Sequence, residues 1–402
     1  MKIVFIGLSI TSSWGNGHAT TYRGLLRELA ARGHSVTFLE RDVPWYAGEN
    51  RDLPEPPYCR TCLYDDLTAL KSRHGRLVST ADVVVVGSYV PQGVEVGDWV
   101  LKTARGLRCF YDIDTPVTLG QLKRGEAAYV SAQQVSRYDV YFSFAGGMAL
   151  TMLEERYGSP AARALYCSFD RLAYYPETYF AEEKKAAWDL AYLGTYSDDR
   201  QPTLERLLME PARRLKDKRF CVAGPKYPAD IAWPGNVKRI EHVPPAEHRG
   251  FYNRQRFCLN VTRAEMIRLG HSPSVRLFEA AACGTPIISD FWEGLDELFE
   301  PGREILLAAT PDDVRQYLCD LPEAERMTIA GRARQRVLQD HSAAARAEQF
   351  ERQVTALAGL KAAGTEAAGE QAGRERLQPS RLPESVGQVA GRGAADVNRG
   401  SV

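Results

Sequence analysis

Between His271 and Asp290 the chain reads HSPSVRLFEAAACGTPIISD, and its residue types suit the capture of a phosphorylated ligand. Ser272, Pro273 and Ser274 precede a run in which Val275, Phe278, Ala281 and Ala282 recur at the spacing of a buried helix face. The spacing predicts a helix from about Ser274 to Cys283, ended by Gly284, whose free N-terminal amides and dipole attract a diphosphate. Pro273 sets the entry to that helix. Arg276 and Glu279, three residues apart, share a neighbouring face; a plain solvated carboxylate is the alternative for Glu279. Thr285 to Ser289 reads as a short apolar strand, which places Asp290 at its carboxyl end, the edge where open α/β sheets hold ligands.

Other residues able to do chemistry follow apolar strands in the same way. Gly194 to Arg200, GTYSDDR, comes after Leu190 to Leu193. Gly194 and Thr195 permit close approach there, and Arg200 can reach a phosphate or, alternatively, pair with Asp198 or Asp199 at the surface. Gly224 and Pro225 follow another strand, with Lys226 and Tyr227 at hand, and Arg263 is a weaker basic candidate. Near the N-terminus, Gly7 to His18 reads GLSITSSWGNGH, so Gly15, Asn16 and Gly17 lead directly into a helix. His18 carries an imidazole suited to proton transfer near neutrality, or else caps that helix or packs in the core. The loop lacks GxGxxG spacing, which leaves Glu40 and Asp42 as slender support for a dehydrogenase. Asp112 and Asp114 end a buried strand in FYDIDTPVTL. Alone, this pattern suggests a divalent metal site, or merely a cap for the next turn. Gly146 and Gly147 can offer backbone amides before another helix. Cys59 and Cys62 form a CxxC without a second pair, a weak zinc signal, and no cofactor or metal site is expected.

The segment bearing Gly270, Ser272, Pro273, Ser274, Arg276, Phe278 and Glu279 resembles the GxSPSxRxFE form found in the CgeB-like (spore maturation) branch of GT-B glycosyltransferases, within the group 1, family-4-like superfamily. The resemblance implies an α/β protein with two Rossmann-like, doubly wound parallel-sheet domains facing a cleft. It implies a nucleotide-sugar donor on the C-terminal domain, with Glu279 on the ribose hydroxyls and Arg200 on the diphosphate. His242 and Val243, before Pro244, would pack main-chain groups against the nucleobase. His18 would act as base or touch the sugar phosphate, and Asp114, secondarily Asp112, would orient the acceptor or join the catalysis. UDP is the base expected from family frequency, and no bound metal is implied. One position departs: His271 stands where the first acid of the E-x7-E pattern falls, so the retaining mechanism is not carried over there. A nucleotide-sugar 2-epimerase of the same fold and a noncatalytic nucleotide-sugar-binding scaffold are the alternatives.

These residues need two sheets to hold them. The 402 residues give β and α patterns that alternate twice, the signature of parallel, doubly wound sheets. The first series has strands near Lys2–Ile6, Ser35–Leu39, Val83–Val86, Leu107–Tyr111, Val140–Phe144 and Ala164–Cys167, with helices near Ala19–Arg32 and Met148–Tyr157. The second has strands near Leu190–Leu193, Arg219–Ala223, Val237–Ile240, Phe257–Val261 and Pro286–Ser289, then helical segments to Leu360. The expected division is an acceptor domain over 1–170, a connection over 171–187, a donor domain over 188–340, a helix over 341–360 and a disordered tail over 361–402, which is poor in large apolar residues. Fifty-one basic and fifty-one acidic residues cancel, so charge gives no argument for nucleic acid, and the expected acceptor is a small molecule, glycan or protein. No apolar run approaches the roughly 20 residues of a membrane helix, and the scattered cysteines suit a cytoplasmic protein.

Overall fold

The computed structural model describes residues 1–14, 17–177 and 186–376, with side chains as far as 361. The first sheet has seven parallel strands: β1 (Lys2–Gly7), β2 (Ser35–Arg41), β3 (Arg60–Tyr64), β4 (Val83–Gly87), β5 (Leu107–Asp112), β6 (Val140–Ser143) and β7 (Ala162–Ala164), in the order β3-β2-β1-β4-β5-β6-β7. The second has six: β8 (Trp188–Leu193), β9 (Phe220–Ala223), β10 (Val237–Ile240), β11 (Gln255–Asn260), β12 (Ile287–Ser289) and β13 (Leu306–Leu307), ordered β10-β9-β8-β11-β12-β13. Each order reverses beside its first strand, which opens a crevice at the carboxyl ends of β1 and β4 in one sheet and of β8 and β11 in the other. Central strands such as β4, Val83–Gly87, are buried along their whole length because helices cover both faces.

The helices used below are α1 (Gly17–Ala31), α2 (Leu67–Thr80), α3 (Gly93–Thr103), α4 (Thr115–Lys123), α5 (Ala264–Leu269), α6 (Val275–Ala282), α7 (Glu323–Asp340) and α8 (Ala343–Arg376). The apolar alternation misses β3, β13, α2, α3 and α4. β3 is an edge strand whose RTCLY is mostly half-exposed, so it needs no continuous apolar run. β7 lies two residues before its expected start, and α8 runs on to Arg376, past the Leu360 where the apolar face ends, because Ala, Glu and Gln favour helix without packing. Residues 377–402 of the expected tail and 178–185 of the expected connection lie outside the described residues.

Contacts within residues 1–358 join the two sheets. The Gly146 amide donates to the His271 carbonyl at 2.8 Å, and the Cys167 thiol donates to the Pro273 carbonyl at 3.4 Å. α4 and α5 meet along a groove lined by Pro116, Leu119, Glu265 and Leu269. α8 packs against the first sheet: Ala347, Phe350 and Val354 join its core, with the Phe350 ring 6.0 Å from Phe5 and 5.2 Å from Phe142. No helix among the described residues is long and apolar enough to cross a membrane.

Candidate functional site

On the second sheet, α6 begins where expected, with Ser274 extended before it as the N-cap. The Ser274 hydroxyl does not cap the helix; it donates to Asn260 Oδ1 at 2.9 Å. Arg276 donates from Nη1 to the same oxygen at 2.7 Å and from Nε to the Leu193 carbonyl at 2.8 Å, and its guanidinium lies 4.7 Å from the Tyr192 ring centre. One side chain therefore ties α6 to β8 and β11. Asn260, which carries no motif signal, is the hub: its amide nitrogen also reaches Ser289 Oγ at 3.0 Å. Glu279 is only 5% exposed and accepts from the Tyr252 hydroxyl at 3.1 Å, which rules out a solvated helix carboxylate. Asp290 ends β12 as expected, but its oxygens are taken by the Thr262 amide and hydroxyl at 3.0 and 2.8 Å.

Arg200 does not pair with Asp198 or Asp199. Asp198 accepts from the Tyr196 hydroxyl, Asp199 from Ser197 and the Ala264 amide, and Arg200 itself donates to the Thr195 carbonyl. Its Nε is buried without a partner among the described residues. Burial, together with Arg276 and Arg263 nearby, works against its charge. Among the described residues, no carboxylate lies within ion-pair distance of Arg200, Arg263 or Arg276. Three guanidiniums sharing one region without a paired acid make a site for an anion. Beside it, a Cβ at Gly224 (φ 139°) would fall 2.0 Å from the Gly194 carbonyl, so the two loops touch backbone to backbone.

An aromatic wall escaped the sequence reading. Tyr227 donates to the Gly194 carbonyl at 3.2 Å, lies 5.4 Å from the Tyr196 ring and 5.5 Å from Trp233, and carries Arg239 over its face at 4.1 Å. No periodicity marks these positions, because Tyr196 comes from the loop after β8, Tyr227 and Trp233 from the loop after β9, and Arg239 from β10. Tyr192 brings a buried hydroxyl without a partner among the described residues. Lys226 and Thr195 are exposed, and so is His242. Val243 is buried, with its carbonyl accepting from His248 Nε2 at 3.0 Å. Ser272 is buried too.

The other wall belongs to the first sheet. Glu40 is fully enclosed and receives the Ser9 hydroxyl at 2.8 Å, the Thr11 hydroxyl at 2.6 Å, and the amides of Ile10 and Thr11 at 2.7 and 3.1 Å. Its carboxylate holds the loop after β1 and has nothing left for a dinucleotide ribose. Asp52 grips the next residue, taking the Ser13 amide at 2.7 Å and Arg23 at 2.8 Å. Gly15 and Asn16 lie outside the described residues; Gly17 opens α1. His18 follows, its ring edge-on to Tyr89 at 5.2 Å. Burial pushes its imidazole down to about 4, so the expectation of a histidine titrating near neutrality is corrected: it is a neutral base at pH 7.

The two aspartates after β5 part company. Asp112 is completely buried, accepts from Tyr141 at 2.7 Å, Thr118 at 2.9 Å and the Asp114 amide at 3.1 Å, and is pushed up to about 6 by burial. It supports the turn instead of facing the cleft, a correction that follows from its place inside the strand end. Asp114 does not cap α4 with its side chain. It accepts from the Tyr89 hydroxyl at 2.8 Å; burial raises its carboxyl, while Tyr89 and Arg263 hold it down. No group of three His, Cys, Asp or Glu side chains that could hold a metal occurs among the described residues, and none of the eight cysteines is in a disulfide.

His271 and the Gly146–Gly147 turn meet each other. The His271 amide donates to the Glu293 carbonyl at 2.6 Å, and its Nε2 lies 3.0 Å from Glu297. A Cβ on Gly147 (φ 50°) would lie 2.4 Å from His271 Nδ1, which is buried without a partner among the described residues. The Gly146 amide is spent on His271, so that glycine offers no amide to a ligand. A separate groove of about 530 Å³ lies along Thr203, Arg206, Ile267, Asp290 and Phe291; its lining includes none of His18, Asp114, Arg276 or Glu279.

Residues 200–352 match a family model described as glycosyl transferase-like. Comparison with curated proteins gave no match. Among solved structures, the chain is similar to sucrose-phosphate synthase from Thermosynechococcus elongatus, with TM-score 0.62, 16% identity and coverage of 89% of this chain and 99% of that one. Anabaena HepE in complex with UDP and glucose gives TM-score 0.63 at 12% identity, over 89% and 100% of the two chains. An α-glucosyltransferase in complex with UDP-glucose and DNA containing an abasic site gives 0.62 at 12%, over 88% and 98%. The shared architecture is GT-B.

Proposed function

We propose that the protein is a glycosyltransferase that moves a sugar from a UDP-sugar to an acceptor held by the first sheet. The observation that carries the reading is the group Arg200, Arg263 and Arg276, without a carboxylate in ion-pair reach among the described residues, beside the N-terminus of α6 and the buried Glu279. A nucleoside diphosphate satisfies all of it: the diphosphate meets the guanidiniums and helix amides, and ribose hydroxyls donate to Glu279. HepE in complex with UDP and glucose and the α-glucosyltransferase in complex with UDP-glucose share the fold, which supports uracil as the base. The GxSPSxRxFE segment supports assignment of the chain to the CgeB-like branch.

Departure of the nucleoside diphosphate is stabilised by the fixed positive groups, with no metal needed to neutralise it. The enclosed Asp112 supports this, since its oxygens already receive Tyr141, Thr118 and the Asp114 amide. On the opposite wall His18, neutral at pH 7, can take the acceptor proton while Asp114 orients the hydroxyl. The acceptor is a small molecule, glycan or protein; the DNA in the α-glucosyltransferase complex belongs to that protein, and the balanced charge of this chain gives no reason to transfer it.

A panel of nucleotide sugars, assayed for binding and slow hydrolysis in excess EDTA, tests the reading. Release of sugar and UDP without added metal is the expected result. Isomerised donor would establish an epimerase, tight binding without turnover a scaffold, and rescue by Mn²⁺ a metal-dependent reaction.

A further inference from the structure

Tyr89 lies in the turn after β4, at the crevice beside β1. Its backbone is left-handed, φ 61°, a conformation in which a bulky side chain is strained, and Gln92 three residues on shares it at φ 55°. The surroundings impose this shape. The Ser88 amide donates to the Tyr111 carbonyl at 3.0 Å, the Ile113 amide donates to Ser88 Oγ at 3.0 Å, and Arg41 holds the Gln92 side chain at 2.9 Å. Held this way, the Tyr89 ring stands edge-on to His18 at 5.2 Å and 4.7 Å from Tyr129, while its hydroxyl donates to Asp114 Oδ2 at 2.8 Å. Loops from β1, β4 and β5 thus meet through one side chain.

We infer that Tyr89 is a positioning residue of the transfer reaction: its hydroxyl fixes the Asp114 carboxylate and its ring fixes the His18 imidazole, setting the distance between acceptor-orienting group and base. The inference rests on the transferase reading above. It accounts for the strain, since relaxing the turn would withdraw the hydroxyl from Asp114 and the ring from His18 together. The charges around Asp114 define what the hydroxyl does. Tyr89 on one side and Arg263 across the cleft favour the carboxylate; burial and Glu265 oppose it, and Asp112 sits two residues back with its own enclosed charge. The phenol stays protonated, because burial and Asp114 push its ionisation above the ordinary tyrosine range, so toward the Asp114 carboxylate it is the donor.

The test uses the full chain with the nucleotide sugar that the panel identifies. Tyr89→Phe keeps the ring and removes the donor. Its turnover should fall about tenfold with donor KM unchanged, and the acidic limb of kcat/KM should move up by about one pH unit as Asp114 loses a hydrogen bond to its charged form. The ¹³C titration of the Asp114 carboxyl should move in the same direction without substrate. Tyr89→Gly suits the left-handed backbone and so should fold, yet it should lose turnover further, because His18 is also released. A Tyr89→Phe enzyme with unaltered kcat, pH profile and Asp114 titration would overturn the inference while leaving the transferase standing. Absence of turnover in the unmodified protein would remove the transferase and the positioning role together, whatever the titration shows.

Discussion

Arg200 and Arg276 bring equal charge to the same region and differ in what remains to be satisfied. Arg200 keeps a buried Nε without a partner among the described residues, whereas Arg276 spends two nitrogens on Leu193 and Asn260. A charge-assisted hydrogen bond to phosphate contributes about 1.5 to 3 kcal/mol. Arg200→Ala should therefore weaken UDP binding about tenfold or more by calorimetry and leave uridine binding nearly unchanged; equal losses for both ligands would assign Arg200 to the fold. Arg276→Ala should weaken both, because it also unties α6 from β8. Glu279→Ala should chiefly raise the donor KM, since a ribose contact acts alike on ground and transition states. A fall confined to kcat would move Glu279 into the chemistry. His18→Ala should lower kcat about a hundredfold with donor affinity unchanged. With an imidazole already neutral above about 4, His18 should contribute no ionisation to the rate between pH 5 and 8. A limb in that range which vanished in His18→Ala would show otherwise.

At the scale of elements, positions defined by periodicity were legible and positions defined by meeting across loops were not. Helix α6, with its Ser274 start and Cys283 end, follows from apolar spacing and a terminal glycine, the same spacing located Glu279, and the strand ends gave Asp114 and Arg200 their addresses. Nothing in the spacing told Asp112 from Asp114, because the difference lies in Tyr141 and Thr118 enclosing one of them. Asn260, Tyr89 and the packing of Tyr227 on Tyr196 and Trp233 were silent for a similar reason: a lone polar or aromatic residue after a strand has meaning only once its partners are known. Glu40 shows the hazard of placement without partners. Its position at the end of the second strand fits a ribose acid, yet its four hydrogen bonds belong to the loop Ser9–Thr11. Glu40→Gln replaces one acceptor oxygen by a donor facing donors, so it should cost about 2 kcal/mol in urea unfolding and slow turnover by loosening the wall that carries His18. An unchanged midpoint would show that other contacts hold the loop.

For the whole molecule, acid should act through histidines kept neutral inside. His341 joins α7 to α8, stacks on Phe278 at 4.5 Å and faces Arg346, which donates to its Nδ1 at 2.7 Å. Burial first, then Arg346 and Arg336, push it down to about 3 from an ordinary 6.5. The folded state therefore binds fewer protons than the unfolded chain between those values. Stability is full above pH 6.5 and declines as pH falls toward 3, by up to about 1.4 kcal/mol per pH unit for each such histidine. His341→Gln, which preserves an acceptor for Arg346, should flatten the decline in melting temperature between pH 7 and 5. An identical slope would shift the effect to carboxylates.

The packing of Phe350 and Val354 beside Phe5 and Phe142 also sets an order on biosynthesis. β1 leaves the ribosome well before α8, the helix that completes the cover which α1 begins on its apolar face. Until then a growing chain presents bare aromatic surface, the condition under which nascent proteins recruit chaperones or aggregate. A gene cut before residue 343 would leave the candidate site residues encoded and yet deliver a first sheet with the part of one face beside Phe5 and Phe142 uncovered, α1 alone remaining on it.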